Sequence, residues 1–281
     1  TSRRNVATGR DGATSLPAPR ACSHGLKMFQ LRMVFPRMFP LIAIVFFALP
    51  AFGQTNEDET ANTNAVAKHW DAISTYRERT IEGWQVLVND KLVAETNLCA
   101  QVLKILDAQL FQVTRVVPGP ALAKIRQIPI WIELNDPLFP GSVYHESPDW
   151  LREHGVNPAK AGAVEIANAK NFTTWTIDQP WMVLHELAHG YQHLFLGDDN
   201  ADIRRCYEHA KEKHLYDSVL RIDGRHERHY AMTNEKEYFA EMSEAFFGTN
   251  DFYPFVRAEL REHDPETFAT LCRLWGVKPQ I

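Results

Sequence analysis

The sequence predicts an α+β domain, and three observations carry that expectation. Between residues 82 and 169 short β-type runs alternate with stretches of helical period. One apolar helix then spans about 178–197 and carries His185-Glu186-Leu187-Ala188-His189. Beyond residue 233 every periodic stretch has the helical repeat, so the C-terminal half should be helical. With 281 residues, 45% hydrophobic and 23% charged, the chain can bury one large core.

The first 65 residues do not belong to that core. Leu41-Ile42-Ala43-Ile44-Val45-Phe46-Phe47-Ala48-Leu49 follows Arg32 and Arg37 and precedes Pro50-Ala51-Phe52-Gly53, the layout of a secretory signal with a small-residue cleavage site. Met28, Met33 and Met38 would each serve as its start, so residues 1–27 read as an unstructured leader. The expected organisation is a leader and signal peptide over 1–53, a flexible polar linker over 54–65 and one domain over 66–281. The destination is extracytoplasmic, secreted or periplasmic. The apolar run is short for a membrane span, so no stable membrane insertion is expected unless the signal segment is retained. Residues 54–281 hold 23 basic and 34 acidic side chains, a formal charge of −11, which argues against nucleic acid as a partner. Export permits one disulfide among Cys99, Cys206 and Cys272, and their spacing does not choose the pair. The sequence leaves the oligomeric state open.

Within the domain, residues 66–77 read as helix, and Glu82–Val88 with Lys91–Ala94 as a hairpin around Asn89-Asp90. Thr96–Val113 carries Leu98, Val102, Leu103, Leu106 and Leu110 at helical spacing. Gln127–Leu134 reads as a buried strand and Val164–Ala169 as a second. Asp178 can cap the next helix, Pro180 is tolerated in its first turn, and Gly197 suits its end. Residues 198–229 read as a solvated helix of about twenty residues, with Tyr207, Ala210, Leu215 and Val219 or Leu220 turned inward. Helices follow over 233–247, 251–262 and 265–275, and no internal repeat appears.

The chemistry lies in the pentapeptide. On a helix, His185 and His189 stack one turn apart on one face, where a tetrahedral Zn²⁺ can take a nitrogen from each. Glu186 flanks such an ion rather than binding it and can take a proton from its water. A catalytic zinc wants a third protein ligand and an open fourth place. One arrangement continues the helix to a glycine and a third histidine, but Gln192 and Phe195 stand at those positions. His193 lies a further turn along the axis and reads as a polar neighbour. The alternative is a glutamate from residues 233–247, where Glu237, Glu241 and Glu244 share one face. Tyr238, Phe239, Phe246 and Phe247 make that helix a buried one, so its acids need cations or donors. Glu237 on zinc and Glu241 accepting the free ring N–H of a ligand histidine would satisfy both.

H-E-x-x-H followed by Thr233-Asn234-Glu235-Lys236-Glu237-Tyr238-Phe239-Ala240-Glu241 resembles the zinc peptidase domain of anthrax toxin lethal factor and its relatives, within the gluzincins. The match covers roughly residues 160–250, and nothing upstream resembles that toxin's delivery regions. The resemblance implies a zincin-like fold, an α+β domain with a twisted sheet packed on the active-site helix. It implies Glu237 as third ligand beside His185 and His189, and Tyr230, seven residues earlier, as a stabiliser of the oxyanion. It also implies that the edge strand before the metal helix holds substrate in extended form, for which Val164–Ala169 is the candidate.

Other residues read as bland. His145-Glu146 lacks a partner at ligand spacing, and His154, His209, His214, His226, His229 and His263 read as surface or loop residues. Trp131, Trp150, Trp175 and Trp181 read as core and rim packing. Asn171-Phe172-Thr173 fits a glycosylation acceptor, a pattern that matters only in a eukaryotic secretory host. The expectation is an exported zinc metallopeptidase acting on a peptide or protein substrate, with Glu186 as general base. The alternatives are a secreted zinc-binding protein without turnover, and a structural zinc site closed by Glu241 or Glu244.

Overall fold

The computed structural model describes residues 70–278, so the leader, signal-peptide and linker expectations lie outside the described residues. Strand β1 (Tyr76–Ile81) turns through Glu82 and Gly83, at φ 49° and 90°, into antiparallel β2 (Trp84–Asn89). Gly83 takes the left-handed conformation without strain, which puts the hairpin here and not at Asn89-Asp90. Asn89 instead accepts a hydrogen bond from the Lys91 N–H at 2.8 Å and caps α1 (Asp90–Ala94), so the expected second strand is a helix. The expected helix over 66–77 also gives way. Its described part is a 3₁₀ turn (Ile73–Thr75) running into β1.

Next come α2 (Thr96–Val116), as the spacing predicts, and a short α3 (Gly119–Ile125). Strand β3 (Ile130–Ile132) runs parallel to β2, and β5 (Val164–Ile166) parallel to β3. Between them lie β4 (Ser142–Tyr144) and α4 (Pro148–Glu153), and after β5 comes α5 (Ala169–Trp175). The sheet order is β1-β2-β3-β5-β4, with β4 antiparallel to β5. Strand β5 is therefore interior, and β4 holds the edge assigned above to Val164–Ala169. Three residues between Pro140-Gly141 and His145 are too few to show a period, which is why this strand is not visible in the sequence.

The sheet's two faces differ. Val86, Val88, Ile130, Ile132, Val164 and Ile166 are fully buried in one cluster with α2 (Val102, Leu106, Leu110) and α6 (Met182–Tyr191). Each such side chain is worth about 1.5–3 kcal/mol when buried. The opposite face carries Leu87, Trp131 and Glu165. Helix α6 starts after Trp181 and not at Asp178, and it ends in a π-turn (Gln192–Leu196) before Gly197.

The charged stretch after it divides. Helix α7 (Ala201–Glu212) buries Ile203, Cys206 and Ala210 and stops where His214 turns to φ 56° and the Leu215 N–H reaches back to the Ala210 carbonyl. A hairpin follows, β6 (Val219–Leu220) with β7 (His226–Glu227), turning through Gly224 at φ 85°. Then come α8 (Glu235–Phe247), α9 (Arg257–His263), later than expected, and α10 (Pro265–Trp275). The domain is thus mixed α+β with a mixed five-stranded sheet. Among the described residues no helix is long and apolar enough to cross a membrane. Cys99, Cys206 and Cys272 are buried free thiols, so no disulfide forms among them.

Candidate metal centre

Two helices build the site, and small residues set their spacing. A Cβ on Gly248, at the end of α8, would meet the Trp181 indole at 1.9 Å, so glycine there lets the start of α6 lie against α8. A Cβ on Gly190 would stand 2.6 Å from Ile128 and 2.9 Å from the Tyr144 ring, so the edge strand can lie close over α6. At the head of α8 the Asn234 side chain accepts the N–H groups of Lys236 and Glu237, both at 2.9 Å, which places Glu237 in the first helical turn.

From these positions three atoms converge. His185 Nε2 is 3.1 Å from His189 Nε2 and 3.1 Å from Glu237 Oε2, and His189 Nε2 is 3.4 Å from the same oxygen. Tetrahedral ligands at about 2.0–2.1 Å from a zinc ion stand roughly 3.3–3.4 Å apart, so this triangle fits one ion. The chemistry of the donors agrees. His185 Nδ1 donates to Glu244 Oε1 at 2.8 Å, which leaves the Nε2 lone pair facing His189 and Glu237. Lone pairs so gathered repel one another unless a proton or a metal ion joins them. Here the structure corrects one sequence expectation: Glu244 and not Glu241 takes the ring N–H, with Glu241 at 3.5 Å. Glu241 accepts instead from Asn250 Nδ2 at 2.7 Å. Both acids lie against Nδ1, on the far side of the imidazole from the triangle.

Charge follows from this packing. Burial lowers the His185 pKa, but Glu237 and Glu244 at its two ring nitrogens and the charges of Glu244 and Glu241 outweigh it, and the net shift is well upward, so a proton competes with a metal ion for Nε2. Burial raises the Glu237 pKa, yet the charge of His189 and the hydrogen bonds from both imidazoles hold its carboxyl well below the ordinary range. Glu186 is buried, and desolvation lifts its pKa against the pull of His185 and His189. The Tyr144 backbone nearby also lowers it. No Lys or Arg pairs with Glu186, Glu237, Glu241 or Glu244 among the described residues.

Tyr230 opens a 3₁₀ turn (Tyr230–Thr233) in which the His229 ring accepts the Ala231 N–H at 3.1 Å. The residue as a whole is 44% exposed, while partial desolvation of its phenol and the nearby Glu237 charge raise its pKa. The hydroxyl therefore lies in the field of the cluster with a path to solvent. His193 stays apart from the triangle, its Nδ1 on the Tyr144 hydroxyl at 2.9 Å.

Two histidines set aside above are buried. His145 pairs with Glu165 on the other face of the sheet, and His229 is 1% exposed because Phe252 stacks on it and Tyr216 meets it edge-on. The sequence reading missed Gly190, whose only signal is its place directly after His189, and the edge strand with Tyr144. No family model, curated protein or solved structure matches the chain.

Proposed function

We propose that this protein is a zinc-dependent metallopeptidase of zincin type, exported from the cytoplasm. The observation that carries the reading is the triangle of His185 Nε2, His189 Nε2 and Glu237 Oε2, with sides of 3.1, 3.1 and 3.4 Å and an acid beside it. Zinc fits this donor set, and when bound it supplies Lewis acidity that brings the pKa of a water near 7. Glu186 would be the general base that takes a proton from a water attacking the peptide carbonyl and passes it to the leaving amine. Tyr230 donates its hydroxyl to the carbonyl oxygen as negative charge grows there. Glu244 holds the His185 ring in place. Support for a catalytic rather than a closed structural site comes from Glu241 and Glu244, which approach the wrong nitrogen of His185 to complete the same coordination sphere.

The substrate backbone has a natural seat. Gly141 and His145 bond to Ala167 and Ala163, so the N–H and C=O groups of Ser142 and Tyr144 face the open side of β4. An extended peptide can add there as a further strand. Metal analysis tests the reading first. Wild type should bind one Zn²⁺, Glu237→Ala should lose most of it, and Glu235→Ala should not, because Glu235 points away to Arg204 at 3.2 Å. Equal loss in both variants would show that the wrong face of α8 was chosen. Cleavage of a diverse peptide library by the zinc-loaded protein then tests the reaction.

A further inference from the structure

Three side chains from three elements meet beyond the histidine pair, at the C-terminal end of α6. Lys236, adjacent to Glu237, donates to both carboxylate oxygens of Glu146 at 2.6 Å and stands 3.5 Å from Asp198 Oδ1. Glu146 lies two residues past the end of β4, and Asp198 follows the π-turn that ends α6. The Tyr144 hydroxyl meets His193 Nδ1 at 2.9 Å, and His193 Nε2 is 3.9 Å from Asp198. The edge strand, the histidine helix and the glutamate helix are thus tied together at this end. At the other end of β4, the Ser142 hydroxyl meets the Met182 sulfur at the start of α6, 3.3 Å away, and among the described residues no Lys or Arg ion pair bridges α6 and α8 there.

An isolated surface ion pair is worth about 0–1 kcal/mol, so this bridge is a weak source of stability. Its position gives it a larger consequence. A peptide added antiparallel to β4 points its N-terminal residues toward Glu146. Ser142 meets Met182 and the Tyr144 ring lies against Gly190, so Glu186, midway between them on α6, stands level with Val143–Tyr144, and Glu146 is two to three residues further, about 7–10 Å at roughly 3.3 Å per residue. We infer that the Glu146–Lys236–Asp198 bridge closes the end of the site that receives the residues N-terminal to the scissile bond. Substrates are therefore peptides with a free N-terminus, held with about two to three residues on that side. Two carboxylates against one ammonium leave a net negative charge that attracts the substrate's α-ammonium. This inference rests on the peptidase reading.

The test is a ladder of peptides in which one to eight mixed-composition residues precede a common C-terminal segment, each peptide free or acetylated at its N-terminus. Zinc-loaded Glu186→Gln protein reports binding without turnover, and wild type reports cut positions by mass spectrometry. Affinity should hold to about two to three residues before the cut and fall at least tenfold beyond, and wild-type cuts should follow the N-terminus as the ladder lengthens. Acetylation should weaken binding about tenfold. Adding Lys236→Met with Glu146→Gln, both at partly exposed positions, should abolish the length limit and yield internal cuts. Equal affinity for short and long members, a limit on the C-terminal side instead, or a limit unchanged by the double substitution would each overturn the inference while leaving the peptidase reading intact. No binding and no cutting anywhere on the ladder would overturn the peptidase reading, and the inference with it.

Discussion

Two clusters of buried charge lie on opposite faces of one sheet, and they are balanced differently. On the face away from α6, Lys160 Nζ contacts Glu133 Oε1 at 2.8 Å and also Glu165, whose other oxygen meets His145. Tyr76 and Asn89 donate to Glu133 as well. Each carboxylate there has a cation and further donors, so the cluster is complete within the chain. On the α6 side, Glu186, Glu237, Glu241 and Glu244 crowd around two imidazoles with no Lys or Arg among them. Burial of charge alone does not mark a functional site. Donor atoms that converge without a Lys or Arg beside them are a better sign, because a metal ion can complete them, and the zinc proposal rests on that difference.

Substitutions can break this contrast from either side. The largest effect is expected at Glu186→Gln: the amide cannot accept a proton at neutral pH, so turnover of any cleaved peptide should drop by about 10²–10⁴-fold with zinc content unchanged. Near-normal activity with full zinc would remove Glu186 from the mechanism.

Across the sheet, Lys160→Met leaves Glu133 and Glu165 buried without their ammonium and should cost about 3–5 kcal/mol in urea unfolding, with zinc binding by the folded protein unaltered. Its pH dependence has a definite sign. For Lys160, desolvation is outweighed by Glu165 and Glu133, and its pKa is raised. That stability is full below the ordinary lysine value and is lost as pH rises through the folded-state value. For Glu165, desolvation is outweighed by His145 and Lys160, and its pKa is lowered. That share is full above the ordinary glutamate value and is lost as pH falls through the folded-state value. The stability gap between wild type and Lys160→Met should therefore be flat from about pH 5 to 10 and narrow on both sides. A gap that widens toward acid would contradict the pairing.

Tyr230→Phe removes one hydroxyl. If it meets the oxyanion, kcat should fall by roughly 10²–10³ with KM little changed and zinc retained. Unchanged kcat at full zinc occupancy would sink that role. The smallest effect concerns the ring partner of His185. Zinc affinity should fall about 10–100-fold in Glu244→Gln and less in Glu241→Gln, since the distances to Nδ1 are 2.8 and 3.5 Å. The reverse order, read by competition with a chelator, would restore Glu241 to the position the sequence first suggested.

What could be read before the structure depends on the range of the interaction. The histidine pair, its adjacent acid and the face shared by Glu237, Glu241 and Glu244 are legible because helical spacing alone brings them together. The long repeat of α2 and the final helix are legible for the same reason. Of the three-residue strands, Ile130–Ile132 and Val164–Ile166 fall within the expected strands Gln127–Leu134 and Val164–Ala169 because apolar β-branched residues mark them, whereas Ser142–Tyr144 carries no such pattern and is not legible. The hairpin was misplaced because Asn89-Asp90 has the composition of a turn and also that of a helix cap. The chain turns earlier, at Glu82-Gly83, which leaves Asn89 to accept the Lys91 N–H and cap α1.

By itself the sequence determined which side chains α6 and α8 present together, through a repeat of 3.6 residues that needs no partner to hold. The tertiary structure decided everything that depends on approach between distant segments. It selected Glu244 over Glu241, because a fraction of an ångström in the packing of α6 on α8 chooses between two acids on one face. It made β4 the edge strand, because β5 is enclosed by β3 on one side and β4 on the other. It also placed His145 and His229 indoors, since burial is a property of what packs around a residue and no residue carries that information in its own spacing.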